Sequence, residues 1–119
     1  MNSIAPIRID NAGVTIHGTA GAVWMTQHQI ASLFGVFVSA VGSNIRSILK
    51  NGILDEDEVS RRKTTANGNM MILYNLEMIT ALAFRLNSRK AEQYRRWLVG
   101  QAADPIVIWK IPGMGTLLN

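Results

Sequence analysis

Apolar and polar positions alternate in two short runs near the start of the chain. Ile7 and Ile9 alternate with Arg8 and Asp10, and Val14-Thr15-Ile16-His17 alternates again. Asn11-Ala12-Gly13 between them is a turn signal, so Ile4 to Trp24 is predicted to be a small, irregular β-hairpin or meander. Gly18, Ala20 and Gly21 interrupt it, and Val23-Trp24 resumes a strand pattern. The period then lengthens to that of a helix, with Ile30, Leu33 and Phe34 on one stripe. Thr26 and Gln29 have the spacing of a capping box, and Met25 and Ile30 fit the hydrophobic staple that accompanies it. Gly35 ends this helix, because glycine takes positive φ without strain.

A second helix is predicted from about Val38 to Lys50. Val41, Ile45, Ile48 and Leu49 share its apolar face, and Ser39, Ser43, Arg46, Ser47 and Lys50 share the opposite one. Asn51-Gly52 stops it. Asp55 to Glu58 reads as a solvated acidic turn, capped by Asp55. Val59 to Tyr74 is predicted to be a β-hairpin with a type I′ turn at Asn67-Gly68, since that dipeptide favours positive φ at both central positions. Its first arm carries Arg61, Arg62 and Lys63; its second, Met70 to Tyr74, is apolar. A third helix is expected over Asn75 to Leu86, with Leu76, Ile79, Leu82, Ala83 and Leu86 inward. A fourth is expected from Ser88 to about Val99, with Ala91, Tyr94, Leu98 and neighbouring Trp97 inward. Beyond Gly100 the pattern weakens to a short strand at Ile106 to Ile111 and a loose tail.

At 119 residues, the chain suits one domain. The hydrophobic fraction of 48% against 17% charged is globular rather than disordered. With no cysteine, disulfides and thiolate metal sites are excluded. His17 and His28 lack carboxylates at ligand spacing, so no metal is expected. Gly18-Thr19-Ala20-Gly21 lacks the lysine of a phosphate loop, and Asp55 to Glu58 lacks an EF-hand pattern. The six methionines are scattered and suit a core. No nucleophile–base pair stands out, so no catalytic site, enzyme activity or cofactor is expected. Met1 to Asp10 has no signal-like apolar run, and no stretch has transmembrane length, so a cytoplasmic location without membrane contact is expected.

Charge is segregated rather than merely positive. The formal net charge is +4. From Val59 to Leu98, Arg61, Arg62, Lys63, Arg85, Arg89, Lys90, Arg95 and Arg96 face only Glu77 and Glu92, whereas the other acids concentrate at Asp55 to Glu58. A basic stretch points to a polyanionic partner.

The helices around Gly35 match a helix-turn-helix. Ala31 stands where the first helix meets the second closely, Gly35 makes the turn, and Val41 and Ile45 pack the second helix back. Glycine-linked helix pairs also occur in bundles that bind nothing; the basic hairpin adds the further signal. Helix pair, spacer and cationic hairpin follow the order of a winged helix, in which the second helix enters the major groove and the wing contacts the backbone or minor groove. The alternative for the hairpin is a solvated edge whose cations oppose aggregation. The fold expected is therefore α+β: a winged helix-turn-helix-like domain with an N-terminal β-hairpin, a basic wing hairpin and two further helices. Residues 1–25 form the hairpin region of one domain with 26–99, and 100–119 a tail. The expected DNA-binding residues are Thr26, Gln27, Ser39, Ser43, Arg46, Ser47, Lys50, Arg61, Arg62 and Lys63. The cations near the fourth helix form a second candidate phosphate-facing patch.

Several stretches together resemble the RhuM-type virulence protein family. They are Val23-Trp24-Met25-Thr26-Gln27, Ile30 to Val36, Gly52 to Glu56, Thr64-Thr65-Ala66, Tyr74-Asn75-Leu76, and Phe84 to Ala91 continuing through Gln93 to Trp97. The chain is also similar to phage antirepressor domains of the Bro and KilA kind. The resemblance spans about Val23 to Trp97. It implies binding to double-stranded DNA and transcription regulation at mobile or virulence loci. Phe37 departs from the family's helix-capping serine, and Gly42 lies within the second helix, where glycine costs about 1 kcal/mol relative to alanine. A shortened, loosened helix capped by Ser39 is the expected consequence. Leu98 to Asn119 does not follow the family pattern, as in a truncated or frame-altered member. The alternative function is a protein-interaction module on the same scaffold without DNA readout, with Phe37 as its docking aromatic. A homodimer and a protein partner both stay open.

Overall fold

The computed structural model describes residues 5–102. They form an α+β domain whose α-helices number five, with one two-stranded and one three-stranded antiparallel sheet. β1 (Ile7–Asp10) and β2 (Gly13–Ile16) make the expected hairpin. Its turn is closed by the Asp10 carboxylate, which accepts the Ala12 N–H at 2.9 Å. Ile7 and Ile9 point into the core, as their alternation requires. The hairpin packs against the first and last helices.

β3 (Trp24–Thr26) does not extend that hairpin into a meander. It joins the second sheet, beside β5 (Met70–Asn75), whose other neighbour is β4 (Ser60–Thr64). The expected boundary at residue 25 therefore falls inside a strand. α1 (Gln27–Phe34) starts directly from β3. Thr26 Oγ1 accepts the Gln29 N–H at 3.1 Å, and Gln29 Oε1 accepts the Thr26 N–H at 2.8 Å, completing the capping box. At its end Gly35 is left-handed (φ 66°), and Val36 N–H donates back to Ala31 O at 3.0 Å. That is the Schellman closure.

α2 (Val38–Lys50) runs its full predicted length. The expectation of a shortened helix capped by Ser39 is overturned. Phe37 is the N-cap residue in extended conformation without a side-chain cap, and its carbonyl accepts the Ala40 and Val41 N–H groups. The backbone starts the helix alone. Val41, Ile45 and Ile48 are buried, and Leu49 packs at their margin. Gly52 (φ 70°) stops the helix, as Ile53 N–H bonds to Ile48 O at 3.0 Å.

α3 (Glu56–Val59) is one helical turn, with the Asp55 carboxylate accepting the Asp57 N–H at 2.9 Å. Val59 thus belongs to this turn, and the hairpin begins at Ser60. The type I′ turn is also overturned, because Asn67 lacks the positive φ it needs; only Gly68 has it (φ 82°). Gly68 N–H closes a turn on Thr65 O at 3.0 Å, and Thr65 N–H reaches Asn69 O at 2.7 Å. The loop is the three-residue kind, with glycine at the left-handed bulge position.

α4 (Leu76–Ala83) is capped by Asn75, whose Oδ1 accepts the Met78 N–H at 3.1 Å. It ends short of the predicted Leu86, in turns from Phe84 to Leu86. α5 (Arg89–Gln101) is capped by Ser88 and runs slightly past the predicted Val99. The predicted strand at Ile106 to Ile111 and the tail beyond lie outside the described residues. The core centres on Phe34 and Tyr94, whose rings meet edge-on at 5.7 Å. Ile30, Ile48, Met78, Ile79 and Leu82 surround them, and Tyr94 Oη bonds with Thr80 Oγ1 at 2.7 Å, so its polar end is satisfied.

Candidate nucleic-acid interface

The axes of α1 and α2 change direction by 114° across the Gly35–Phe37 turn. That lies in the range of helix pairs that present their second helix outward. The presented face of α2 is a stripe of exposed residues at helical spacing: Ser39, Ser43, Arg46 and Lys50. It contains hydroxyls and cations and no carboxylate. Guanine edges and phosphate oxygens accept from such groups.

Gly42 explains how α2 is seated. It is buried, and a Cβ built there would come within 2.5 Å of Gln27 Nε2 and 3.4 Å of Arg46 Nη1. The glycine that seemed to loosen the helix lets the Gln27 amide cross it. Gln27 Nε2 then donates to Val38 O at 2.9 Å, tying the start of α1 to the first turn of α2. Gln27 was expected as a DNA contact; its amide is engaged inside the helix pair. The Thr26 hydroxyl is likewise engaged in the capping box. Ser47 is half-buried and accepts from Arg85 Nη2 at 2.8 Å, while Arg85 Nε donates to Asn44 Oδ1 at 3.0 Å. Arg85 therefore braces α2 from the α4–α5 connection.

In the basic hairpin, strand register divides the cations between two faces. Arg61 pairs with Leu73 and Lys63 with Met71, whereas Arg62 pairs with Ile72. Trp24 and Thr26 share the Arg61–Lys63 face through the β3–β5 register. The Arg61 guanidinium lies 4.2 Å from the centre of the Trp24 ring, a cation–π contact that holds it on the sheet. All three cations are exposed, and none joins a salt bridge among the described residues. The hairpin's far end also exposes Ile72 and Met70.

The cations near α5 do not act as one patch. Arg95 Nη1 donates to Ala83 O at 2.7 Å and to Leu86 O at 3.1 Å, so it caps the carbonyls left open where α4 ends. Arg96 lies 3.5 Å from Glu92. Arg89 and Lys90 are exposed without a salt bridge among the described residues. Sequence reasoning missed Asn44 and Trp24 as partners of site residues. A tryptophan at a strand start carries no local sign of the arginine above it, and Asn44 is an ordinary half-buried helix position.

The acidic turn at α3 runs directly into β4 and acts on its neighbours. Tyr74 has its pKa raised by burial and then by Glu56; Glu77 has its pKa raised by burial and then by Glu58. Among the described residues no group of three or more His, Asp or Glu is placed to hold a metal ion, and no single helix is long and apolar enough to cross a membrane. No family model, curated protein or solved structure matches the chain.

Proposed function

We propose that this chain is a winged-helix DNA-binding domain, with α2 as the recognition helix and β4–β5 as the wing. The observation that carries the reading is the arrangement around α2. A strand leads into α1, a 114° turn presents the carboxylate-free stripe of α2, and the cationic hairpin returns to pair with that same first strand. Ser39, Ser43, Arg46 and Lys50 face the major groove in this reading, and Arg61, Arg62 and Lys63 neutralise phosphates. Thr26, Gln27 and Ser47 position the helix rather than touch bases. In this reading the chain binds rather than catalyses and works in the cytoplasm, and a role in transcription regulation is what the RhuM resemblance implies.

Fluorescence anisotropy with selected and random duplexes tests it. Arg46→Ala should weaken the selected site by about 1–3 kcal/mol and random DNA little. Equal losses on both would make Arg46 a phosphate contact; no loss on either would remove α2 from the interface. The second reading, a protein-interaction module, is favoured by Phe37, which is 83% exposed at the turn before α2. It predicts no duplex binding even at low salt.

A further inference from the structure

Two surfaces of the molecule each carry one sign of charge beside bare apolar side chains. The first is an open groove lined by Phe84, Arg85, Leu86, Arg96 and Val99, and an adjoining groove shares Arg85 and Leu86 and reaches Phe37. No carboxylate lines either groove. Phe37, Phe84 and Val99 are 83%, 53% and 67% exposed, so a water-facing apolar strip runs beside arginines. The second surface is the turn from Ile53 to Glu58. Ile53 is 53% exposed, and Asp55, Glu56, Asp57 and Glu58 are all exposed. None of these four carboxylates joins a salt bridge among the described residues.

We propose that the two surfaces bind each other between copies of this chain: the Ile53–Glu58 turn of one copy seats on the Phe37–Phe84–Val99 groove of the next. Each surface supplies what the other lacks. Ile53 covers apolar surface that is otherwise wetted, and the acidic turn meets Arg85, whose hydrogen-bond partners are the neutral Asn44 and Ser47, and Arg96, whose one pairing among the described residues is the exposed contact with Glu92. The contact is heterologous, so each added copy leaves one free turn and one free groove and the assembly grows head to tail. It is small and partly ionic, hence weak and salt-sensitive. It does not rest on the DNA-binding reading.

Sedimentation equilibrium of the full chain without DNA tests it. The weight-average mass should rise with concentration at about 50 mM salt, and the association constant should fall at least about tenfold at about 500 mM. Phe84→Glu blocks the groove, and Glu56→Lys with Asp57→Lys blocks the turn; the positions are exposed, and thermal melts check that the variants fold. Each blocked protein should be monomeric alone. Their equimolar mixture should form a one-to-one pair, because one retains a turn and the other a groove. Val99→Glu replaces Phe84→Glu if the latter unfolds. A wild type that stays monomeric throughout, a blocked protein that still self-associates, or a mixture that does not pair overturns the proposal.

Discussion

Gly42 carries two opposed effects at a single position. Alanine there gains about 1 kcal/mol of helix propensity. Its Cβ would also stand 2.5 Å from Gln27 Nε2, which must swing away and leave the Val38 carbonyl. Breaking a hydrogen bond of this kind costs about 0.5–1.5 kcal/mol. Gly42→Ala should therefore shift stability by less than about 1 kcal/mol in urea unfolding. In a Gln27→Ala background the same change should stabilise by about 1 kcal/mol, because nothing then stands in its way. Equal effects in both backgrounds would show that the amide does not cross at Gly42. Arg95 offers a second comparison. Its guanidinium caps two carbonyls, whereas Arg96 makes one exposed contact with Glu92. Arg95→Ala should cost about 2–3 kcal/mol, and Arg96→Ala less than about 0.5. Thermal melts that ranked them equally would remove the capping role.

Elements here are delimited by their ends. One capping box, at Thr26, and the caps Asp55, Asn75 and Ser88 start four of the five α-helices, and left-handed Gly35 and Gly52 stop two; the sequence displays most of these signals. The β4–β5 hairpin shows the limit. Asn67-Gly68 marks the turn, yet strand register places both residues in a three-residue loop in which only Gly68 has positive φ. Gly68→Ala should accordingly cost about 1–2 kcal/mol, and Asn67→Ala much less. A type I′ loop would make both costly, so paired urea titrations distinguish the two loops. Ala31, buried in α1 and expected from the sequence to face α2, makes a comparable demand on the helix pair. Ala31→Leu should overpack that contact and lower stability by about 1–3 kcal/mol in a thermal melt.

At the scale of the whole molecule, charge follows architecture. Cations line α2 and the hairpin, while acids gather at the α3 turn. If the hairpin is a wing, replacing Arg61, Arg62 and Lys63 with alanine should weaken binding to every duplex alike. The logarithmic salt slope should flatten by roughly 0.9 for each phosphate no longer neutralised. An unchanged slope in anisotropy titrations would remove the hairpin from the interface. Arg61 tests a further point, because its side chain is held over Trp24. If the hairpin is a wing, much of the cost of placing that side chain is met before DNA arrives.

The sequence by itself determined what lies within a few residues of its cause. The apolar stripe of α2, the capping box at Thr26, the glycine stops at Gly35 and Gly52 and the β1–β2 turn are set by helical or strand period and by short-range hydrogen bonds, so they were legible. The exposed stripe Ser39, Ser43, Arg46 and Lys50 followed from the same periodicity, which also placed Ser47 there although the structure half-buries it under Arg85. Tertiary structure alone decided which distant groups meet. β3 left the N-terminal hairpin to pair with β5, Arg85 reached across to Asn44 and Ser47, and Gly42 became the crossing point for Gln27 rather than a weakness in α2. Each of these meetings depends on the path of the chain through space: a side chain's reach and a strand's open edge are local, but the partner that fills them is brought there by packing of the core.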